Sequence, residues 1–180
     1  AAPLLFLKPT TAMVPLGHAI ELPAWSGNVH HEVEVVVLIG KDGVNVPRSE
    51  ALSYIAGYGI GLDMTARDVQ SELKKAGNPW TLSKGYRGSA VLSDFVRADK
   101  IADPANIDFS LEVNGEMRQQ GNTSRLVFGI AEIIEYVSQH FGLQAGDLIY
   151  TGTPEGVGPL QHGDRLVAKL ADLVTDKRQV

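Results

Sequence analysis

Cysteine is absent from these 180 residues, which excludes disulfides, thiolate metal ligands and a cysteine nucleophile, and fits a reducing compartment. Cytoplasm is the expectation that follows. Basic clusters are lacking as well: 16 Lys and Arg stand against 21 Asp and Glu, for a net charge of -5. Nucleic acid and anionic membranes are bound through grouped cations, so neither is an expected partner. Long apolar runs are also missing. The opening "AAPLLFLKP" is broken by Lys8 and Pro9, and no other stretch nears the roughly 20 apolar residues of a membrane span. What remains is an ordinary globular composition, 44% hydrophobic and 21% charged, in a chain of single-domain size able to bury a sizeable core.

Turn residues and periodicity divide the chain into many short strands and two clear helices. Residues 4 to 8 read as a strand, and 32 to 39 as a second, closed by the turn "KDG". "YIAGYGIGLDM", 54 to 64, is a glycine-spaced apolar run. Each internal glycine costs a helix about 1 kcal/mol, so it reads as a buried strand ending at Asp63. From there the period changes: Ala66, Val69, Leu73 and Ala76 form one helical stripe, with Thr65 as N-cap and Gly77 as stop. Arg67, Gln70 and Lys74 border that stripe. Asn114-Gly115 centres a hairpin over 107 to 120, because this pair suits a type I′ turn. A longer helix spans 125 to 141, with Ser124 before it and Gly142 after. "LQAGD" and "LQHGD" repeat one turn, each leading into a strand. Without regular βαβ alternation the fold class is α+β, mainly β.

The stretch "VHHEVEVVVLIG", 29 to 40, poses a chemical question. In a strand Glu32 and Glu34 point to the same face, roughly 7 Å apart, away from Val33, Val35, Val37 and Ile39. Burying two carboxylates together costs several kcal/mol unless a cation or paired bases compensate. One solution is a solvated strand end. Another is a divalent cation with Asp63 as third ligand, an all-oxygen site that suits Mg²⁺ or Mn²⁺. Asp63 would serve equally as a helix cap.

"HHEVEVVVLIG", "GYGIGLDMTARDVQ", "GNPWTLSKGY", "VNGEMRQQG" and "GDLIYTGTPEGVGPLQHGD" occur in order along nearly the whole chain. Together they resemble the fumarylacetoacetate hydrolase family, most closely its small acylpyruvate hydrolase and oxaloacetate decarboxylase members. The resemblance implies a twisted mixed β-sheet roll with a few short helices, usually a homodimer. It also implies an active site on Mg²⁺ or Mn²⁺ held by Glu32, Glu34 and Asp63. His30 and His31 lie beside these acids and are read as packing groups, outside the ligand set. Arg67 and Gln70 match a "D-x-x-x-R-x-x-Q" run that approaches substrate in the family, and Lys84 matches its active-site lysine, whose charge would meet a developing enolate.

"TGTPEGVG", 151 to 158, lacks the lysine of a phosphate-binding loop. Its N–H groups and Thr153 could grip a carboxylate, the use the resemblance implies, or the glycines could simply make tight turns. Family members also carry an "NYxxHxxE" lid before the "FLKP" stretch, whose His and Glu activate water. The expectation here is one catalytic domain over 1 to 180 without that lid.

The function expected is a metal-dependent hydrolase that cleaves the C–C bond of a small acylpyruvate, giving pyruvate and a carboxylic acid through an enolate at the metal. Oxaloacetate decarboxylation or 2-oxo acid isomerisation at the same site is the alternative, and a non-catalytic metal-binding scaffold is a rival of another class. Decarboxylation needs no attacking water and so no lid.

Overall fold

The computed structural model describes residues 2–180. Its strands and helices follow in chain order. The first part holds β1 (Met13–Val14), β2 (Val29–His31), β3 (Val33–Ile39), β4 (Ile55–Asp63), β5 (Thr65–Ala66), α1 (Arg67–Ala76) and α2 (Thr81–Lys84). Next come β6 (Ala90–Leu92), β7 (Val96–Arg97), β8 (Asp108–Val113), β9 (Glu116–Asn122) and α3 (Ile130–His140). The chain ends with β10 (Leu148–Tyr150), β11 (Gly158–Pro159), β12 (Arg165–Leu170) and β13 (Val174–Gln179). The result is a mainly β, curled mixed-sheet architecture. Among the described residues no helix is long and apolar enough to cross a membrane.

One sheet runs β1-β6-β4-β3-β10, with β7 on β4; a second is β11-β2-β5 and a third β13-β12-β8-β9. Only the β1–β6 pairing is parallel among these described ladders. Strand β3 is central and buried on both faces: Val33, Val35, Val37 and Ile39 enter the core, while Glu32 and Glu34 are buried on the other side. Glu32, just ahead of β3, and Glu34 on it form a buried acid pair, a costly arrangement, so what surrounds it decides the function.

The glycine spacing in β4 now has a cause. Tyr58, Ile60 and Leu62 enter the core, whereas Gly57, Gly59 and Gly61 alternate onto the face that carries Asp63. A Cβ at Gly61 would lie 2.7 Å from Tyr150 Cε1 and 2.7 Å from Val91 O, and one at Gly59 would lie 3.0 Å from the Phe95 ring. The furrow admits two aromatic rings. Tyr150, on β10, reaches across β3 and β4 to donate its hydroxyl to Val91 O on β6 at 2.9 Å.

The hairpin forms as expected, with Asn114 and Gly115 at φ 55° and 82°. Both "LQxGD" turns close alike: Asp147 and Asp164 each accept from the backbone N–H three residues earlier at 2.8 Å, and Gly146 and Gly163 take φ of 97° and 91°.

Three expectations are corrected. Residues 4 to 8 form no strand, because they pair with no sheet edge and are held by side chains instead: Phe6 packs on Trp80 with ring centroids 6.2 Å apart. Thr65 does not cap α1, since it pairs with His30 in β5 and its hydroxyl donates to Asp63 O. The helix start is served by Asp68, which accepts from Val69 N, Gly27 N and Ser26 Oγ. Helix α3 begins at Ile130, not 125, because Asn122 caps a separate 3₁₀ turn over Thr123–Arg125 and Gly129 is extended.

Candidate active site

The alternation of β3 and the end of β4 bring Glu32, Glu34 and Asp63 together, each offering an oxygen within 4.8 Å of the others. All three are buried, and a set of basic groups converges on them. Lys84, at the end of α2, places Nζ 2.7 Å from Glu32 Oε2, 2.6 Å from Asp63 Oδ2 and 2.6 Å from Thr65 Oγ1. All three of its hydrogens are thereby used. Arg67 donates to the other Glu32 oxygen and, at 2.7 Å, to Gln70 Oε1. In α1 the buried residue is Gln70 itself, while Leu73 and Val69 are only half-buried. The helix therefore presents a polar corner to the acids.

Lys8 is a participant the sequence reading missed. Its ammonium lies 2.7 Å from Asp63 Oδ1 and donates to Ser89 O at 2.9 Å and to Lys84 O. It thereby ties residues 2–9 to both Asp63 and the Lys84 turn. A lysine set among leucines in "LLFLKP" was the available signal: a cation in an apolar stretch is costly unless it meets a buried acid. Gln119 was missed for another reason, since nothing local in β9 marks it. It is buried and bonds to His31 Nδ1, Val33 N, Thr153 Oγ1 and Pro154 O.

Among the described residues Glu34 has one directed partner, the Gly152 N–H at 2.6 Å. Burial, then the charge of Asp63, pushes its carboxyl up to about 8. Burial also pulls Glu32 upward, but Lys84 and Arg67 outweigh it and hold that carboxyl below the ordinary range. The same triad thus holds one carboxyl that resists ionising beside one that is stabilised as an anion.

The site fits a divalent cation on two grounds. Asp63 Oδ1 is buried, and among the described residues the Lys8 ammonium at 2.7 Å is the charge that faces it, with no hydrogen bond of good angle. Burial and the neighbouring charge of Asp63 raise the Glu34 carboxyl above its ordinary range, a cost that a cation at the triad would relieve. An oxygen-only donor set at this spacing suits a hard cation.

His31 is buried and its Nδ1 meets Gln119 Oε1 at 2.8 Å, while His30 Nε2 meets Asn28 Oδ1 at 3.0 Å. Both rings engage groups outside the triad. Burial lowers the basicity of each. Thr153 lines a cleft of about 1370 Å³ with Phe6, Lys8, Glu34 and Tyr150. Its hydroxyl donates to Val33 O at 2.9 Å and accepts from Gln119, so its hydrogen is already committed.

The chain matches the family described as fumarylacetoacetate hydrolase, C-terminal, over residues 1–180. It belongs to the fumarylacetoacetate hydrolase family. This is a family of enzymes. Among its members, the mitochondrial oxaloacetate tautomerase of Mus musculus is 50% identical over 178 residues, covering 99% of this chain and 80% of that protein. An oxaloacetate tautomerase of Escherichia coli is 48% identical over 165 residues, covering 91% and 75%. The crystal structure of a fumarylpyruvate hydrolase from Pseudomonas aeruginosa, in complex with Mn²⁺ and pyruvate, superposes with a TM-score of 0.92 at 38% identity, covering 97% of this chain and 77% of that one. The family fold is thus the one found here.

Proposed function

We propose that the protein is a divalent-metal-dependent enzyme that interconverts the enol and keto forms of oxaloacetate or a similar small 2-oxo acid. The observation that carries this reading is the meeting of Glu32, Glu34, Asp63 and Lys84 in one buried cluster beside a cleft. Relatives near 50% identity named oxaloacetate tautomerases support the choice of substrate.

Glu32, Glu34 and Asp63 would hold Mg²⁺ or Mn²⁺. When bound, the cation supplies Lewis acidity that lowers the energy of negative charge on the 2-oxo oxygen. Lys84 contributes a fixed positive charge, oriented by its three acceptors, in a site shielded from water where such a charge acts most strongly. Lys84 and then Arg67 hold the Glu32 carboxyl below its ordinary range, Arg67 also aligns it, and Gln70 holds the guanidinium in place. Tautomerisation moves one proton between oxygen and carbon and breaks no carbon–carbon bond, so no attacking water is needed.

A second reading, hydrolysis of an acylpyruvate, is favoured by the likeness to the fumarylpyruvate hydrolase holding Mn²⁺ and pyruvate. Product analysis separates the two. With Mg²⁺ or Mn²⁺, enol oxaloacetate should lose its ultraviolet absorbance far faster than in buffer, without stoichiometric pyruvate. Lys84→Met should cost at least 100-fold in rate while metal affinity is retained. Pyruvate plus an acid from an acylpyruvate, with no effect on the enol, would reverse the order of the two readings.

A further inference from the structure

Gln119 closes a ring of hydrogen bonds around a single residue of the acid strand. Its Oε1 accepts from Val33 N at 3.0 Å, which identifies that atom as the amide oxygen, and from His31 Nδ1 at 2.8 Å. Its Nε2 donates to Thr153 Oγ1 at 2.8 Å and to Pro154 O at 2.9 Å. Thr153 Oγ1 in turn donates to Val33 O at 2.9 Å. Both backbone groups of Val33, the residue between Glu32 and Glu34, are therefore tied through Gln119 and Thr153. The amide is 1% exposed and its whole hydrogen-bonding capacity is used.

The preceding residues are anchored separately. Thr151 bonds to Val35 O through both its N–H, at 3.2 Å, and its hydroxyl, at 2.8 Å, and Gly152 N–H reaches Glu34. Gln119 thus holds the backbone of Val33 together with Thr153 and Pro154 in the cleft wall, while the acid carboxyl groups themselves are bonded by Lys84, Arg67 and Gly152. Thr153 is left with a backbone N–H that finds no partner among the described residues.

We propose that Gln119 is a positioning residue that sets the Thr153–Pro154 corner of the cleft and thereby governs binding of the substrate carboxylate independently of the cation. This rests on the reading that a small 2-oxo acid binds here. The test is calorimetric titration of Mn²⁺, and then of pyruvate into the Mn²⁺-loaded protein, for wild type, Gln119→Met, Thr153→Val and the double variant.

Mn²⁺ affinity should stay within about twofold, and pyruvate affinity should fall about tenfold in Gln119→Met, the scale of one or two net hydrogen bonds. In the Thr153→Val background the Gln119 change should add nothing further, since it acts through Thr153. Gln119→Glu keeps the volume and the acceptor for Val33 and His31 but loses both donors, and carries the same expectation if the Met variant fails to fold. Unchanged pyruvate binding, parallel loss of Mn²⁺ or additive effects would overturn the proposal alone. A wild-type protein that binds Mn²⁺ but no pyruvate would overturn the functional reading and this inference with it.

Discussion

Lys8 and Asp63 form an ion pair at 2.7 Å between a segment without regular structure and the end of a central strand. The pair is nearly inaccessible, with side-chain exposures of 10% and 2%. Burial pulls the Lys8 ammonium below its ordinary pKa, and Asp63 opposes that pull.

Removing one partner of a buried pair leaves the other charge uncompensated, a loss of about 3 kcal/mol. Lys8→Met should therefore lower the melting temperature of the metal-free protein clearly. Saturating Mg²⁺ should narrow the gap, because a cation on the triad takes over the charge of Asp63. Thermal melts with chelator and with Mg²⁺ check this. Equal melting of the two proteins in chelator would mean that Lys8 only decorates the site.

The Gly61 furrow yields a second prediction. Gly61→Ala sets a methyl 2.7 Å from Tyr150 Cε1, 2.7 Å from Val91 O and 2.8 Å from Val36 Cγ2, so something must shift. Overpacking of this kind costs about 2 kcal/mol. Tyr150→Leu removes the ring but leaves the backbone carbonyl, so the double variant should recover part of the loss and not all of it. Denaturant unfolding of the four proteins measures the coupling. Strict additivity would show that Tyr150 does not need the missing side chain at Gly61.

What could be read from the chain alone was whatever depends on local pattern. Glu32 and Glu34 share a face because a strand alternates, Asp63 ends a run that glycines bar from helix, and Asn114-Gly115 folds a hairpin by its own dihedral preferences. The errors arose where a through-space contact outweighed that pattern. Residues 4 to 8 look like a strand but meet no edge, and their Lys8 is drawn to Asp63. The stripe from Leu126 to Phe141 is helical in period, yet the Asn122 cap and an extended Gly129 delay the helix to Ile130. Gln119 was illegible because its four partners lie on β2, β3 and the loop after β10, and no spacing within β9 announces them.

Glu34 offers the sharpest test of the cation site. Its carboxyl is raised from 4.5 to about 8, first by burial and then by the charge of Asp63. In the metal-free protein between those values the folded state keeps a proton that the unfolded chain releases, so this group makes stability fall as pH rises from about 4.5 to about 8. Below that window both states are protonated, and above it both are ionised, so the slope vanishes. Wild type in chelator should thus lose melting temperature between pH 5 and 8 relative to Glu34→Gln, which has no proton to lose there.

A cation at the triad must displace the same proton. Mn²⁺ binding at pH 7 should release about one proton in wild type, seen by calorimetry in buffers of different ionisation enthalpy, and its affinity should rise with pH up to about 8. Glu34→Gln should bind Mn²⁺ more weakly and with about one proton fewer released. Parallel melting curves for the two proteins, together with equal proton release, would show that Glu34 is ionised in the fold, and that the acid triad is neutralised by Lys8, Lys84 and Arg67 without need of a metal.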